Sequence, residues 1–410
     1  MFDIDKWQEI LITIKQNKLR ALLTGFSVFW GIFMLIILMG SGTGLENGIK
    51  FQFRGRATNS MVFWTGEMSK AYEGYQVGRT INLNNDDKDY AKRDNKKIDK
   101  ITARFRIWGD NTVTYGKERG NYELNNVNPD SKIIDNVHLL QGRFLNNFDM
   151  KELRKVAVIG RDVNNELFKG KSPLGEYILI SSIPYQVIGV YESEQERDNR
   201  RVYMPISTSQ MVFNQPKKVE DVSFTVEDMS VNESKDLEKD LKNQLSKRHH
   251  FDPDDTRALF IYNNFADYSK FLSLFTFIKM FIWVIGIFTI IAGIVGVSNI
   301  MLIVVKERTR EIGIRKAIGA TPVSIISQVI AEAVLITTVA GYVGLVLGVG
   351  LLELVKPLFS KAQGFFLNPD VDFKLAISAS LVLVISGTFA GLIPAIRAAS
   401  IKPIEALKEE

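Results

Sequence analysis

Val304-Val-Lys-Glu-Arg-Thr-Arg-Glu-Ile-Gly-Ile-Arg-Lys-Ala-Ile-Gly-Ala320 is a charged amphipathic stretch between two long apolar runs, and its reading decides the fold. Met280 to Val305 is uncharged and apolar but for Thr289, Ser298 and Asn299, and Val323 to Leu352 is apolar except for polar positions such as Gln328 and Glu332. Each run exceeds the roughly 20 residues that a helix needs to cross a hydrocarbon core. Between them Lys306, Arg308, Arg310, Arg315 and Lys316 face only Glu307 and Glu311, the basic excess expected of a loop on the cytoplasmic side of a membrane.

Working outward, Leu22 to Met39 and Leu375 to Ile396 are also long and apolar enough to span, so four transmembrane helices are expected. An inside loop after the second span requires an inside N-terminus, and Lys6, Lys15, Lys18 and Arg20 agree; so do Arg397, Lys402 and Lys408 in the tail. The expected division is an inner-surface amphipathic helix over 1–20, a first span over 21–41, and a large extracytoplasmic α+β domain over 42–270. A stalk and second span follow over 271–305, then a cytoplasmic loop over 306–322, a third span over 323–355, a short outer loop over 356–373, a fourth span over 374–397 and a tail over 398–410. The first span reads as an uncleaved signal anchor, since its apolar core is longer than that of a signal peptide.

Charge follows this division. Between Gly42 and Lys270 there are 35 Lys and Arg against 34 Asp and Glu, leaving +4 of the formal +5 in the membrane portion. The basic balance therefore reports topology, and without a basic stripe interleaved with aromatics it gives no sign of nucleic-acid binding. The chain has no cysteine, so the external domain must fold on its core alone.

Within that domain, Thr58 to Gly66, Val156 to Gly160, Tyr177 to Ser181, Tyr185 to Val190, Val202 to Pro205 and Val222 to Val226 read as strands. Asp162 to Phe168 reads as a short helix, and Val231 to Arg248 as a longer one with Leu237, Leu241 and Leu245 on one face. Between Tyr72 and Lys100 a loop followed by a helix is expected. From Asn264 to Lys306 there is no helix breaker, which predicts one helix about twice as long as a hydrocarbon core is thick, or two meeting near Lys279.

Sites of chemistry are few. Gly170-Lys171-Ser172 lacks the upstream glycine of a phosphate-binding loop, where Asn165 stands, and Pro173 would interrupt the following helix. His249 and His250 lie near Asp252, Asp254 and Asp255, but side chains of adjacent residues diverge, so a metal site is not expected. No catalytic arrangement follows from spacing, and no cofactor is expected on this chain. Glu332, in the inner part of the third span, either meets a polar group of a neighbouring helix or loop, or reaches the headgroups or is protonated. Gly341, Gly344 and Gly348 include a small-xxx-small pair, which favours close helix contact without naming the partner. In the loop, Glu307, Arg310, Glu311 and Arg315 approach one another across helical turns, with Ile312, Ile314 and Ile318 able to pack. That pattern fits either docking in a groove of a partner protein or a solvated stop-transfer loop.

Val297 to Ala320 resembles the most recognisable segment of the MacB-like permeases of ABC transporters, which carry an FtsX-type transmembrane domain. Gly391-Leu-Ile-Pro-Ala-Ile-Arg-Ala-Ala399, followed by Pro403 and Leu407, resembles their C-terminal motif. Gly142-Arg-Phe144, Val156 to Gly160, Leu167-Phe168, Pro173-Leu-Gly175, Val187 to Val190, Val202 to Pro205 and Lys247 to His250 follow the order of their periplasmic core domain. The resemblance spans nearly the whole chain. It implies a homodimer or paralogous heterodimer in the inner (plasma) membrane, coupled to ABC ATPase subunits that bind ATP and Mg. Glu307, Arg308, Glu311, Arg315 and Ala320 are the coupling positions it carries over. Because MacB carries its ATPase ahead of the first span, and only about 20 residues precede it here, a separate ATPase chain is expected. Export of an antimicrobial, peptide or lipid-like substrate, through mechanotransmission and with a membrane-fusion adaptor and outer-membrane channel, is the leading expectation. Lol-type lipoprotein extraction and FtsX-like regulation of a cell-wall hydrolase are the alternatives.

Overall fold

The computed structural model describes residues 18–107, 109, 111–360, 366–369 and 373–403. Most of the amphipathic helix expected over 1–20 lies outside the described residues, as do much of the outer loop and the last residues of the tail. The chain forms two compact units, Lys50–Leu272 and the combination of Met1–Ile49 with Ser273–Glu410.

Among the described residues three helices are long and apolar enough to cross a membrane, Leu22–Phe53, Asn264–Glu307 and Pro322–Pro357, of which the first two run across the boundary between the units. They belong to the first helix (Lys18–Phe53), the second long helix (Asn264–Glu307) and the third (Pro322–Ser360). A further helix, Phe373–Ser400, lies where the fourth span is expected. The second long helix is unbroken over 44 residues, with no interruption near Lys279. At 1.5 Å per residue it is about 66 Å long. Its start is set by Asn263, whose side-chain oxygen accepts from the Ala266 amide at 2.9 Å and satisfies a donor that the first turn leaves open. Its end lies at Glu307, and a separate loop helix, Thr309–Ala317, follows after Arg308.

The Lys50–Leu272 unit is built on a twelve-stranded sheet. From one edge the order is Leu259–Asn263, Ser60–Thr65, Asp221–Val226, Ile98–Arg106, Glu123–Val127, Arg201–Pro205 and Val156–Gly160. It continues through Ile183–Glu192, Tyr177–Ile180, Thr112–Tyr115 and Glu118–Asn121, with His138–Gly142 also pairing to Ile183–Glu192. Two pairings are parallel, Arg201–Pro205 with Glu123–Val127 and Ile183–Glu192 with Val156–Gly160; the rest are antiparallel. All six expected strands are present.

One half of the sheet is covered by the helix Val231–His249, which buries Leu237, Leu241 and Leu245 against Phe63, Val222 and Phe224. Ser230 caps that helix, accepting from the Glu233 amide while Glu233 accepts from the Ser230 amide. The other half has its own core around Ile159, Val187, Val202 and Phe168, the last from the short helix Arg161–Phe168. The strand Leu259–Asn263 passes into the second long helix without an intervening loop residue. At that junction the Asn264 amide group donates to the Ala57 carbonyl at 3.1 Å.

Candidate functional site

The loop between the second and third long helices is itself a folded element. The loop helix Thr309–Ala317 ends because Gly319 takes a positive φ of 109°. The Gly319 amide then donates to the Lys316 carbonyl at 3.1 Å and the Ala320 amide to the Arg315 carbonyl at 2.9 Å, closing a Schellman motif. Thr321 caps the next helix by accepting from the Ser324 amide at 3.3 Å, with Pro322 at the first helical position. Ala320 thus acts through its backbone in the turn.

Arg308 is the hub of the charged groups. Its Nε and one terminal nitrogen donate to the two Glu311 oxygens at 2.9 and 3.1 Å, and its other terminal nitrogen reaches Glu332 at 3.4 Å. Arg315 donates to Glu311 at 2.7 Å and to Gln328 at 3.0 Å. Glu332 is only 5% exposed, and its polar neighbour is therefore a loop residue, Arg308. Two guanidinium groups and two carboxylates balance in charge, which lets the network sit against the apolar start of the third long helix. Lys316 adds a second tie, donating to the Ala399 and Ile401 carbonyls at 2.8 Å each, at the C-terminal end of the helix Phe373–Ser400, where a cation is favoured.

These contacts divide the expected coupling residues into two groups. Arg308, Glu311 and Arg315 turn toward the third long helix and hold the loop in place. Glu307 and Arg310 are exposed, as are Ile314, Ile318 and Val323, with Ile318 at 82% and Val323 at 73%. Ile312 differs from its two neighbours in the pattern: it is buried in the core of the helices with Val305, Ile325 and Val329. The sequence pattern treats all three isoleucines alike, because it does not reveal that the Ile312 face is already covered.

Gly344 and Gly348 of the third long helix pack against the first helix. A Cβ at Gly344 would lie 2.6 Å from the Phe29 carbonyl oxygen, and one at Gly348 would lie 2.9 Å from the Ile36 side chain. Gly341 is also buried. In the external unit the two adjacent histidines go to different acids, His249 Nε2 to Asp87 at 2.9 Å and His250 Nδ1 to Glu73 at 2.6 Å. No group of His, Asp and Glu that could hold a metal ion occurs among the described residues.

Residues 21–241, more than half of the chain, match the family of the MacB-like periplasmic core domain. The chain belongs to the MacB-like family. Residues 283–403 match the FtsX-like permease C-terminal family, which covers the loop and the helices on either side of it. Among curated relatives of this family, the macrolide export ATP-binding/permease protein MacB of Bdellovibrio bacteriovorus is 29% identical, over 97% of this chain and 60% of its own length. That of Vibrio parahaemolyticus is 25% identical over 99% of this chain and 60% of its own length. The chain thus spans about three fifths of the relatives that it matches. Among solved structures, the periplasmic region of MacB from Actinobacillus actinomycetemcomitans covers 53% of this chain and 95% of its own, with 20% identity and a TM-score of 0.44. The family and the apolar helices make this chain a MacB-like, multi-pass membrane permease of the ABC transporter type.

Proposed function

We propose that this chain spans the inner membrane four times, with both termini in the cytoplasm, and docks an ABC ATPase at the loop over 306–322. The single observation that supports this most is the pairing of exposed Ile314, Ile318 and Val323 with a loop helix held rigidly by Arg308, Arg315 and Lys316. Apolar side chains on a pre-organised helix lose little conformational freedom on docking, whereas a mobile loop would have to be ordered first. ATP and Mg belong on the partner, which we place in a separate chain. The pair works as a homodimer or paralogous heterodimer, and binding and hydrolysis displace the external domain by mechanotransmission. The cargo is an antimicrobial, peptide or lipid-like molecule, passed with a membrane-fusion adaptor and, where the cell has one, an outer-membrane channel; the names of the curated relatives support export.

The test is affinity purification of the tagged chain from native membranes. Wild type retains an ABC ATPase, and Ile318→Asp, which adds a charge at a solvated position, loses most of it while remaining folded. An unchanged yield of ATPase with Ile318→Asp would remove the loop from the interface. Charge reversal at Glu311 is a poorer probe, because Glu311→Lys also breaks the contacts with Arg308 and Arg315 that hold the loop.

A further inference from the structure

The Lys50–Leu272 unit contains a cavity of about 620 Å³ that the proposed coupling does not use. Among the described residues five arginines line it, Arg56, Arg104, Arg106, Arg197 and Arg201, against two carboxylates, Glu123 and Asp198. The sheet register explains part of this crowding. Arg104 and Arg106 stand opposite Val127 and Asn125, and Arg201 stands opposite Glu123, so their side chains leave one face of three adjacent strands.

Close internal pairing accounts for only two of the five cations. Arg201 takes both lining carboxylates, Glu123 at 2.8 Å and Asp198 at 2.7 Å, while Arg104 takes Asp135 at 3.0 Å. Arg106 comes no nearer to a carboxylate than 4.0 Å, at Asp221. Arg56 and Arg197 make no ion pair with a described residue within 4 Å, and Arg56 acts on Asp135 and Asp198 only from farther off. Arg104 is 2% exposed, yet its Nε has no hydrogen-bond partner; the Nε of Arg106 also has none. Asn125, fully buried on the same face, has no partner for either atom of its amide. Leaving buried polar groups unpaired costs free energy, and a cluster of them beside an open cavity is the condition that an external acceptor relieves.

The guanidinium fork matches the oxygens of a phosphate, and several forks without a close carboxylate favour an anion of more than one charge. Phe53 and Tyr262 supply an apolar border, with Tyr262 43% exposed. We infer that the cavity binds a phosphate group, held by Arg56, Arg106 and Arg197, with the attached organic part against Phe53 and Tyr262. This site belongs to the chain itself and does not depend on ATPase docking.

The test is calorimetric titration of the full chain in phosphatidylcholine nanodiscs, at about 0.15 M salt, where weak surface attraction is screened. Inorganic pyrophosphate serves as the soluble probe and dihexanoylphosphatidic acid as the lipid-headgroup probe. Saturable binding is expected, weakened at least about tenfold by Arg106→Gln combined with Arg197→Gln, and unchanged by Lys171→Gln at an exposed position outside the cavity. Tighter binding of pyrophosphate assigns the site to soluble phosphate esters, and tighter binding of the phosphatidic acid assigns it to lipid headgroups. No saturable binding of either probe, or equal binding by the double variant, overturns the inference. Thermal unfolding checks the variants, and if the double one is misfolded, Arg197→Gln alone, at an exposed side chain, decides.

Discussion

Arg308 stands between two carboxylates of unequal exposure, and that inequality sets what its removal does. Glu311 is half-exposed and can return to water, whereas Glu332 is 5% exposed and cannot. Arg308→Ala is therefore expected to lower stability by roughly 3 kcal/mol, mostly by stranding Glu332, and Glu311→Ala by less than about 1 kcal/mol. Replacing Arg308 and Glu332 together by Leu should recover most of the loss; thermal unfolding in detergent of the single and double variants measures it. A second carboxylate prediction concerns the external unit. Burial alone would raise the pKa of Asp255, but hydrogen bonds from the Ser69 hydroxyl and from the amides of Arg257, Ser69 and Lys70 outweigh it and hold the group at about 2. A depressed carboxylate contributes its stability fully above the unfolded value of about 3.9, and that contribution is lost as pH falls toward the folded value. Acid unfolding followed by intrinsic fluorescence should thus steepen below about pH 4, and Asp255→Asn should flatten the pH dependence between about pH 4 and 2.

At the scale of elements, the contact between the first and third long helices depends on absent side chains. Gly344 lies against the backbone at Phe29, which has no rotamer to yield. Gly344→Val should destabilise the helices by about 1–3 kcal/mol, whereas Gly350→Val, with no atom within 4 Å of its Cβ, should have little effect; folded yield after detergent extraction compares them. The long elements were legible in sequence because their signals are local: a run without breakers from Asn264 to Lys306, and leucines at helical spacing in Val231–His249. The strand Glu123–Val127 was not. Its Leu-Asn-Asn reads as a turn, and its burial depends on partners distant in sequence, such as the Phe105 carbonyl that accepts from Asn126 at 2.8 Å. The candidate site was legible to the same extent. Its charged residues are visible in the loop, but their orientation depends on Gln328, Glu332 and the Ala399 carbonyl, which no periodicity within the loop can locate.

At the scale of the molecule, the proposed role rests on displacement passing along the second long helix. Leu274 is 52% exposed, so Leu274→Pro removes little packing but interrupts the helix hydrogen bonding, at a cost of about 3 kcal/mol. The expected result in reconstituted vesicles is an ATPase that still associates and hydrolyses ATP, with export reduced at least about tenfold; retained export would show that this helix need not be continuous. The handover from strand to helix at Asn263 and Asn264 bears on the same point. A flexible connector of even three residues would let its ends shift by up to about 10 Å before any force was felt. Here the connector has no residues at all, and Asn264 is fastened to the chain segment ahead of the neighbouring strand. Such a joint has no slack of its own, so under the proposed role a helix movement smaller than the width of one side chain is expected to strain the edge of the sheet.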